Sequence, residues 1–494
     1  MKLRSVIFIL GSLFILFTSC KRNKHEDFGK NMAKAFASKK YKNFDTTAYF
    51  SVFKDQLKKE KLHIHNPIWM GKIYDQQEKG LTLIGAFLID GQLDSLNSYL
   101  NRSVYHGLNP DYFHASKIAD LLEKVKETKF DKVEDSYPLL ASLEILAADG
   151  LINYVNILNY GAVNPKNIFS RYFIKVDRPD FISTKKSLDQ IDLLAFLEEV
   201  QPKNKDYQRL QEVLIKENNQ LVQGQREKII FSLERLRWLG KPYPEKYLLV
   251  NIPEFKLRII SNHKTDLEMK VCVGATENPG FSKNNENHET PIISGEIDRM
   301  QVNPVWNIPK SIAGKEILKS LIADSSYLEN NNMVAYDKSG KAVDAFSVKW
   351  SEASVNDYSF KQNPGADNSL GQIKFIFYNP YAIYLHDTPA KAAFSQTNRA
   401  VSHGCVRVEK PLDLAAFLLN DEKRTEKIKE EIAASTNGEE VKSRWVILKE
   451  PMPVFIAYYT AWINDDEKLI TTPDVYGYDS KLKPYFEKFM ANYN

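Results

Sequence analysis

Apolar positions recur at three- and four-residue spacing from about residue 46 to 240, and beyond that the period falls to two. Leu139, Leu140, Leu143, Leu146, Leu151 and Val155 show the first pattern, as do Ile229, Leu233 and Leu236. Such spacing predicts helices that each bury one face. In the second half, 247–252 and 257–260 read as strands around Pro253-Glu254-Phe255, and 267–273 and 301–305 as two more. Ile373, Phe375 and Phe377 alternate with Lys374, Ile376 and Tyr378. The turn signal Asn379-Pro380 follows, and a further strand is expected over 381–385. Segments 406–408, 445–448 and 453–460 complete the β set. Two helices interrupt it, one opened by Pro411 in the first-turn position that tolerates proline, the other over 422–434.

These patterns predict an α+β chain. An all-helical domain over 46–240 precedes a β-rich domain over 241–480, with the boundary at Gly240-Lys241-Pro242-Tyr243-Pro244 and a tail over 481–494. Residues 313–366 fit neither period. They are polar and loop-rich, with Asn330-Asn331-Asn332 and Gly365, and read either as a lid over a site or as a surface excursion.

The N-terminus adds a compartment. Lys2 and Arg4 precede an apolar run over 6–17, then Thr18-Ser19-Cys20 and a polar, Lys-rich stretch over 21–45. A dozen apolar residues are too few to span a bilayer as a permanent helix, so 1–20 is expected to be a signal segment. The small residues before Cys20 resemble a bacterial lipoprotein signal, with Phe17 departing from the usual Leu. That resemblance implies lipidation of Cys20, membrane attachment through the lipid, and 21–45 as a tether. A plain signal peptide with an incidental cysteine is the other reading. Lys21 gives no hint of inner-membrane retention, so an outer-membrane lipoprotein facing the periplasm is expected.

Composition sets limits on the rest. With 43% hydrophobic, 26% charged and 12% aromatic residues, the 494-residue chain is neither disordered nor polytopic. Its net charge of +4 is spread along the chain rather than concentrated, so no nucleic-acid partner is expected. With Cys20 taken by lipid, Cys272 and Cys405 remain. They could pair in an oxidising compartment. The alternative is a buried, inert Cys272 in the strand-like Met269-Lys270-Val271-Cys272-Val273-Gly274 and a reactive Cys405 in a Gly-containing loop, and this is favoured.

Chemistry concentrates between Tyr384 and Arg407. His386 ends an apolar strand, Asp387 follows it, and Ser402-His403-Gly404-Cys405 comes shortly after, then Val406-Arg407. A thiol with pKa near 8.5 is mostly protonated at neutral pH, and an imidazole within reach can take its proton. Gly404 lets main-chain N–H groups around Cys405 approach a developing oxyanion. Arg407 and Arg399 add positive charge suited to a carboxylate-rich substrate. His386, Asp387, His403 and Cys405 are also competent zinc ligands, although their spacing matches no familiar two-plus-two pattern. Each could also be structural.

The segment 383–389 (IYLHDTP) followed by 399–407 (RAVSHGCVR) resembles the signature of the L,D-transpeptidase catalytic domain. Gly365, Asn368, Gly371, Lys374, Phe375, Asn303-Pro304-Val305-Trp306 and Tyr459-Thr460-Ala461-Trp462 extend the likeness to the large periplasmic subfamily. His106-Gly107-Leu108-Asn109-Pro110 and Tyr160-Gly161 resemble its scaffold domain. The resemblance implies a β-sandwich-like catalytic domain with 313–366 as its capping insertion. It implies Cys405 as nucleophile, His386 as general base, Asp387 as its orienting residue and His403 near the oxyanion pocket. Arg407 would brace the motif or touch substrate, with Ser402, Gly404, Arg399 and Tyr384 around the substrate. Peptidoglycan tetrapeptide stems would be donor and acceptor, the product a 3→3 cross-link, no cofactor or metal would be needed, and carbapenems would acylate Cys405. Water or a protein amine as acceptor, or a silent wall-binding scaffold, are the alternatives. One departure stands out: 207–220 runs almost directly into Glu234-Arg235-Leu236-Arg237-Trp238, leaving no room for the peptidoglycan-binding module that large members often insert there.

Overall fold

The computed structural model describes residues 28–76, 80–282 and 287–492. Cys20, the signal segment and the first part of the expected tether lie outside them. The described chain forms two compact units. One comprises the described residues up to Asn101 together with Phe113–Asn153 and Phe181–Glu199. The other comprises Arg102–Tyr112, Tyr154–Asp180 and the chain from Val200 onward.

The first unit is helical. Its longest helix, Tyr137–Tyr160, continues into the second unit and buries Leu140, Leu143, Ile145, Leu151 and Ile152. The span Val133–Tyr160 is long and apolar enough to cross a membrane, with mean hydropathy 1.3, but 83% of it is buried, as in a core helix. Glu144, also buried, accepts from the N–H groups of Thr82, Leu83 and Ile84 at 2.7–3.0 Å and from the Tyr74 hydroxyl at 2.6 Å. A carboxylate thus satisfies the orphan donors of the short helix Leu83–Phe87. Residues 28–43, expected as part of a tether, are instead a helix (Phe28–Ala35) and a 3-10 turn (Lys39–Asn43). Phe28, Met32 and Tyr41 give them an apolar face that packs inward.

The second unit is built on strands. In chain order they are β1 (Lys246–Asn251), β2 (Lys256–Ser261), β3 (Lys264–Gly274), β4 (Ile293–Val302), β5 (Trp306–Asn307), β6 (Met333–Tyr336) and β7 (Ala342–Val343). Then come β8 (Ser359–Gln362), β9 (Ile373–Phe377), β10 (Leu385–His386), β11 (Ala400–Ser402), β12 (Val406–Val408), β13 (Arg444–Ala457), β14 (Ala461–Ile463) and β15 (Leu469–Thr471). Nine of them pair in the order β11-β3-β12-β10-β9-β4-β13-β1-β2, and β2 pairs back to β3. The two faces of the expected sandwich therefore belong to one hydrogen-bonded circuit around Leu248, Val250, Leu257, Ile297, Phe375, Val406 and Val454, all buried.

Some expected strands moved. The strand placed at 301–305 is the end of the longer β4. The two placed at 445–448 and 453–460 are one strand, β13, whose register against β4 shifts between Ile447 and Met452. That irregularity absorbs Lys449-Glu450-Pro451, where alternation breaks in sequence. At 381–385 only Leu385 joins the ladder, because Ala382 turns through a left-handed conformation (φ 53°).

The helix Gln223–Arg237 belongs with this unit, not with the helical one. Ile229, Leu233 and Leu236 share an apolar cluster with Ala457, Tyr459 and Ala461, and Arg235 meets Asp479 at 2.5 Å. The chain therefore crosses between the units more than once, rather than only at the Gly240 turn. The described part of the expected tail, 481–492, belongs to the packing: the helix Tyr478–Phe486 buries Leu482 and Phe486, and Phe489 follows them inward.

Residues 313–366 are not loop-rich. With β5 they form a four-stranded sheet, β5-β8-β6-β7, and short helical turns over 310–330. Ile317, Leu321, Leu328, Ala335, Trp350 and Phe360 give the insertion a core of its own. The sequence hid this because each strand is only two to four residues long.

Candidate active site

Register, rather than proximity in sequence, assembles the site. His386 on β10 stands opposite Lys374 on β9 and opposite Arg407 on β12, and Arg407 in turn faces Cys272 on β3. Residues in one register row share a face. The neighbouring row, Phe375, Leu385 and Val406, points into the core, so Lys374, His386 and Arg407 point the other way. The Val406 N–H bonds the Tyr384 carbonyl at 3.1 Å, and the same parallel register puts Cys405 beside Tyr384 with His386 diagonal to it. Thiol, imidazole, phenol and two cations thus meet on, or one residue before, three adjacent strands.

The motif loop is braced from behind. Ser402, buried, donates to the Cys405 carbonyl at 2.6 Å and accepts from the Gly404 N–H at 3.1 Å. Thr290 donates to the Gly404 carbonyl and accepts from the Gly274 N–H, each at 2.8 Å. Its own N–H bonds the Tyr476 hydroxyl at 3.1 Å. Gly404 adopts φ 117°, which a side chain would strain. The Ser402 contact to the Gly404 N–H closes the turn before Cys405.

Cys405 and Cys272 are both thiols, with no disulfide between them. Cys272 is buried, and Cys405 is partly exposed. The Cys405 thiol donates to the Ala382 carbonyl at 3.7 Å. Burial raises its pKa, against the lowering effect of Tyr384, Lys374 and Arg407. His386 is held neutral: burial foremost, then the Arg407 charge, depress its pKa to about 3, while the Asp387 and Leu370 carbonyls and Lys374 contribute less. Its Nδ1 bonds the Asp387 carbonyl at 2.5 Å, which fixes Nδ1 as the donor. The site at rest is a neutral thiol and a neutral imidazole.

Asp387 is itself anchored. Its carboxylate accepts from the N–H of Gln372 at 2.9 Å and of Thr388 at 2.7 Å, and pairs with Lys391. Gly371 (φ 59°) makes room for it, since a Cβ there would lie 2.4 Å from the carboxylate. Tyr384 packs over Lys374, whose Nζ lies 3.9 Å from the ring centroid, and burial with the neighbouring Cys405 pushes its phenol pKa up.

Two of the expected site residues have partners in the fold. The Arg399 guanidinium donates to the carbonyls of Val271 (3.1 Å), Gln396 (2.8 Å) and Phe255 (3.1 Å), binding β3 to the loop before β11. A five-donor fork can bridge several carbonyls at once. His403 turns its Nε2 to Glu316 of the insertion at 2.7 Å, with its ring 5.1 Å from that of His288. It thereby ties the motif loop to the insertion. The zinc alternative also fails on geometry, because His386, Asp387, His403 and Cys405 do not converge their donor atoms; the His/Cys/Asp/Glu convergence among the described residues lies elsewhere. Thr290, Tyr476 and Glu316 were not anticipated. His288-Glu289-Thr290-Pro291, a polar knot just before an apolar strand, was the available signal for the first.

A partly exposed thiol and a buried imidazole thus share a closed mixed sheet, with a folded insertion tied to the loop that carries the thiol. Residues 245–447 match the L,D-transpeptidase catalytic domain, and residues 69–214 match the scaffold domain. The chain carries an L,D-transpeptidase catalytic domain preceded by a scaffold domain. A Haemophilus influenzae protein provisionally named an L,D-transpeptidase is 34% identical over 257 residues, covering 52% of this chain and 49% of its own length. The chain thus spans about half the length of that relative. Among solved structures, the L,D-transpeptidase from Mycobacterium smegmatis is 12% identical over 44% of this chain and 60% of its own, with a TM-score of 0.20. L,D-transpeptidase 3 from Mycobacterium tuberculosis is 10% identical over 44% and 63%, with a TM-score of 0.20. Superposition at that level carries no argument about this chain.

Proposed function

We propose that this protein is a peptidoglycan L,D-transpeptidase, anchored by lipid at Cys20 and facing the periplasm, that forms 3→3 cross-links through a thioester on Cys405. The observation that carries the reading is the catalytic-domain match over 245–447, which encloses Cys405, His386 and His403. In the mechanism, Cys405 Sγ attacks the carbonyl of the third, diamino-acid residue of a tetrapeptide stem. Its proton passes by way of His386 to the departing D-Ala amine. The side-chain amine of a second stem then opens the thioester, gives up a proton to His386, and restores the thiol.

The electrostatics give binding a part in activation. Arg407, and to a smaller degree Lys374, hold the His386 pKa down in the resting site. A stem-peptide carboxylate placed against those cations would offset their charge and make the imidazole a better base when substrate is present. The carbapenem expectation belongs to the same reading: acylation should appear as an adduct mass on Cys405.

The test is incubation of the chain from residue 21, wild type and Cys405→Ala, with purified disaccharide-tetrapeptide, read by mass spectrometry. A dimer formed with loss of one D-Ala, absent in the variant, supports the transpeptidase. Tripeptide alone makes water the acceptor and the enzyme an L,D-carboxypeptidase. No turnover by either protein refutes the catalytic reading.

A further inference from the structure

We propose that His65, His114 and Asp149, in the first compact unit, form a binding site for one divalent transition-metal ion of the Zn2+ type. The three residues come from separate segments. His65 lies in the turn before the helix Pro67–Asp75, His114 in the turn before Ala115–Glu127, and Asp149 in the interior of Tyr137–Tyr160. Their ligand atoms nevertheless lie within 4.8 Å of one another.

The arrangement is convergent rather than merely close. His114 Nε2 is 2.8 Å from Asp149 Oδ2, and His65 Nε2 is 4.0 Å from the same oxygen. The two imidazoles stack with centroids 5.4 Å apart and planes 15° from parallel, so both present an Nε2 to one carboxylate oxygen. The other oxygen, Oδ1, accepts the His65 main-chain N–H at 3.1 Å, which orients the carboxylate. Asp149 is fully buried, and His114 nearly so. His114 reaches its place from a left-handed conformation (φ 61°) that non-glycine residues seldom adopt. The helix it precedes gains no side-chain cap from it.

Chemistry selects the ion. Two imidazole nitrogens and one carboxylate oxygen are the donor set of open three-ligand zinc sites, with water in the fourth position. Zn–N and Zn–O distances of about 2.0–2.1 Å place tetrahedral ligand atoms about 3.3 Å apart. The His114–Asp149 pair would open by about 0.5 Å, and His65 would close by about 0.7 Å, from the printed separations. Both movements are within side-chain torsional freedom, and the larger falls on His65, whose side chain is 28% exposed. That exposure also supplies the ion's access route and room for the water ligand. A bound ion would clip three segments of the helical unit together and neutralise its buried carboxylate. The Cys405 chemistry does not involve it.

The test uses the full chain in detergent, without a polyhistidine tag and stripped by chelator, titrated with ZnCl2 under equilibrium dialysis. Four proteins are compared: wild type, His65→Ala, Asp149→Asn and Cys405→Ala. The expected result is one equivalent bound by wild type and by Cys405→Ala, with affinity at least tenfold weaker in His65→Ala. The melting temperature of wild type should rise by about 5 °C at hundredfold excess over Kd. Co2+ in place of Zn2+ should give the visible absorption of a tetrahedral site, lost in His65→Ala. His65→Ala keeps the test decisive if Asp149→Asn fails to fold, because its side chain lies at the surface. No stoichiometric binding, binding undiminished in His65→Ala, or binding lost in Cys405→Ala would each overturn the assignment.

Discussion

Acid should destabilise this protein partly through one residue, His386. Its folded pKa is about 3, because burial and Arg407 disfavour the imidazolium, whereas an unfolded histidine titrates near 6.5. Between these values the unfolded chain binds a proton that the folded chain refuses, so stability is complete above pH 6.5 and falls as pH drops toward 3. At pH 4.5 the difference spans about two pH units at 1.36 kcal/mol each, or about 2.7 kcal/mol. The perturbation is His386→Gln, which removes the titration while keeping a polar side chain of similar reach. His106 is also buried and held to about 3, by burial and by Arg237, but it is present in both proteins and cancels. Urea unfolding of both proteins, followed by tryptophan fluorescence at pH 7.5, 6.0 and 4.5, gives the stability gap at each pH. Wild type should lose about 2–3 kcal/mol more than the variant on going to pH 4.5. A gap that stays constant within about 0.5 kcal/mol would falsify the argument, since it would mean that the imidazole is neither buried nor held neutral at rest.

Three further outcomes follow from the bracing of the site. Thr290→Val should cost about 2–4 kcal/mol in denaturant unfolding and slow carbapenem acylation of Cys405 by intact mass, because it strands the buried Gly404 carbonyl and Gly274 N–H. Gly371→Ala should cost about 2–4 kcal/mol and reduce acylation by more than it reduces binding, since its Cβ would displace the Asp387 carboxylate and loosen His386. Arg399→Gln should lower stability by about 1–3 kcal/mol with KM for tetrapeptide unchanged. A raised KM at unchanged stability would return Arg399 to the substrate side.

The sequence determined what local pattern and chemistry can encode. The change of period near Tyr247 separated helices from strands, because a 3.6-residue repeat and a two-residue repeat bury different sets of positions. It marked β1, β2, β3 and β9 nearly to their ends. Cys405 and His386 stood out through the specific motif that holds them, since a histidine ending a strand or a cysteine beside glycine is by itself more often structural. Tertiary structure decided the rest. Lys374, His386 and Arg407 come from three separate strands, and only tertiary structure buried the imidazole and set the two cations in its row, which together push the His386 pKa down. Arg399 reads as a substrate cation until its carbonyl partners are placed. His65, His114 and Asp149 carry no spacing signal at all, because two turns meet the interior of the long helix Tyr137–Tyr160 only when that helix is packed. Period is a property of neighbours along the chain, whereas charge, burial and ligand geometry depend on neighbours in space.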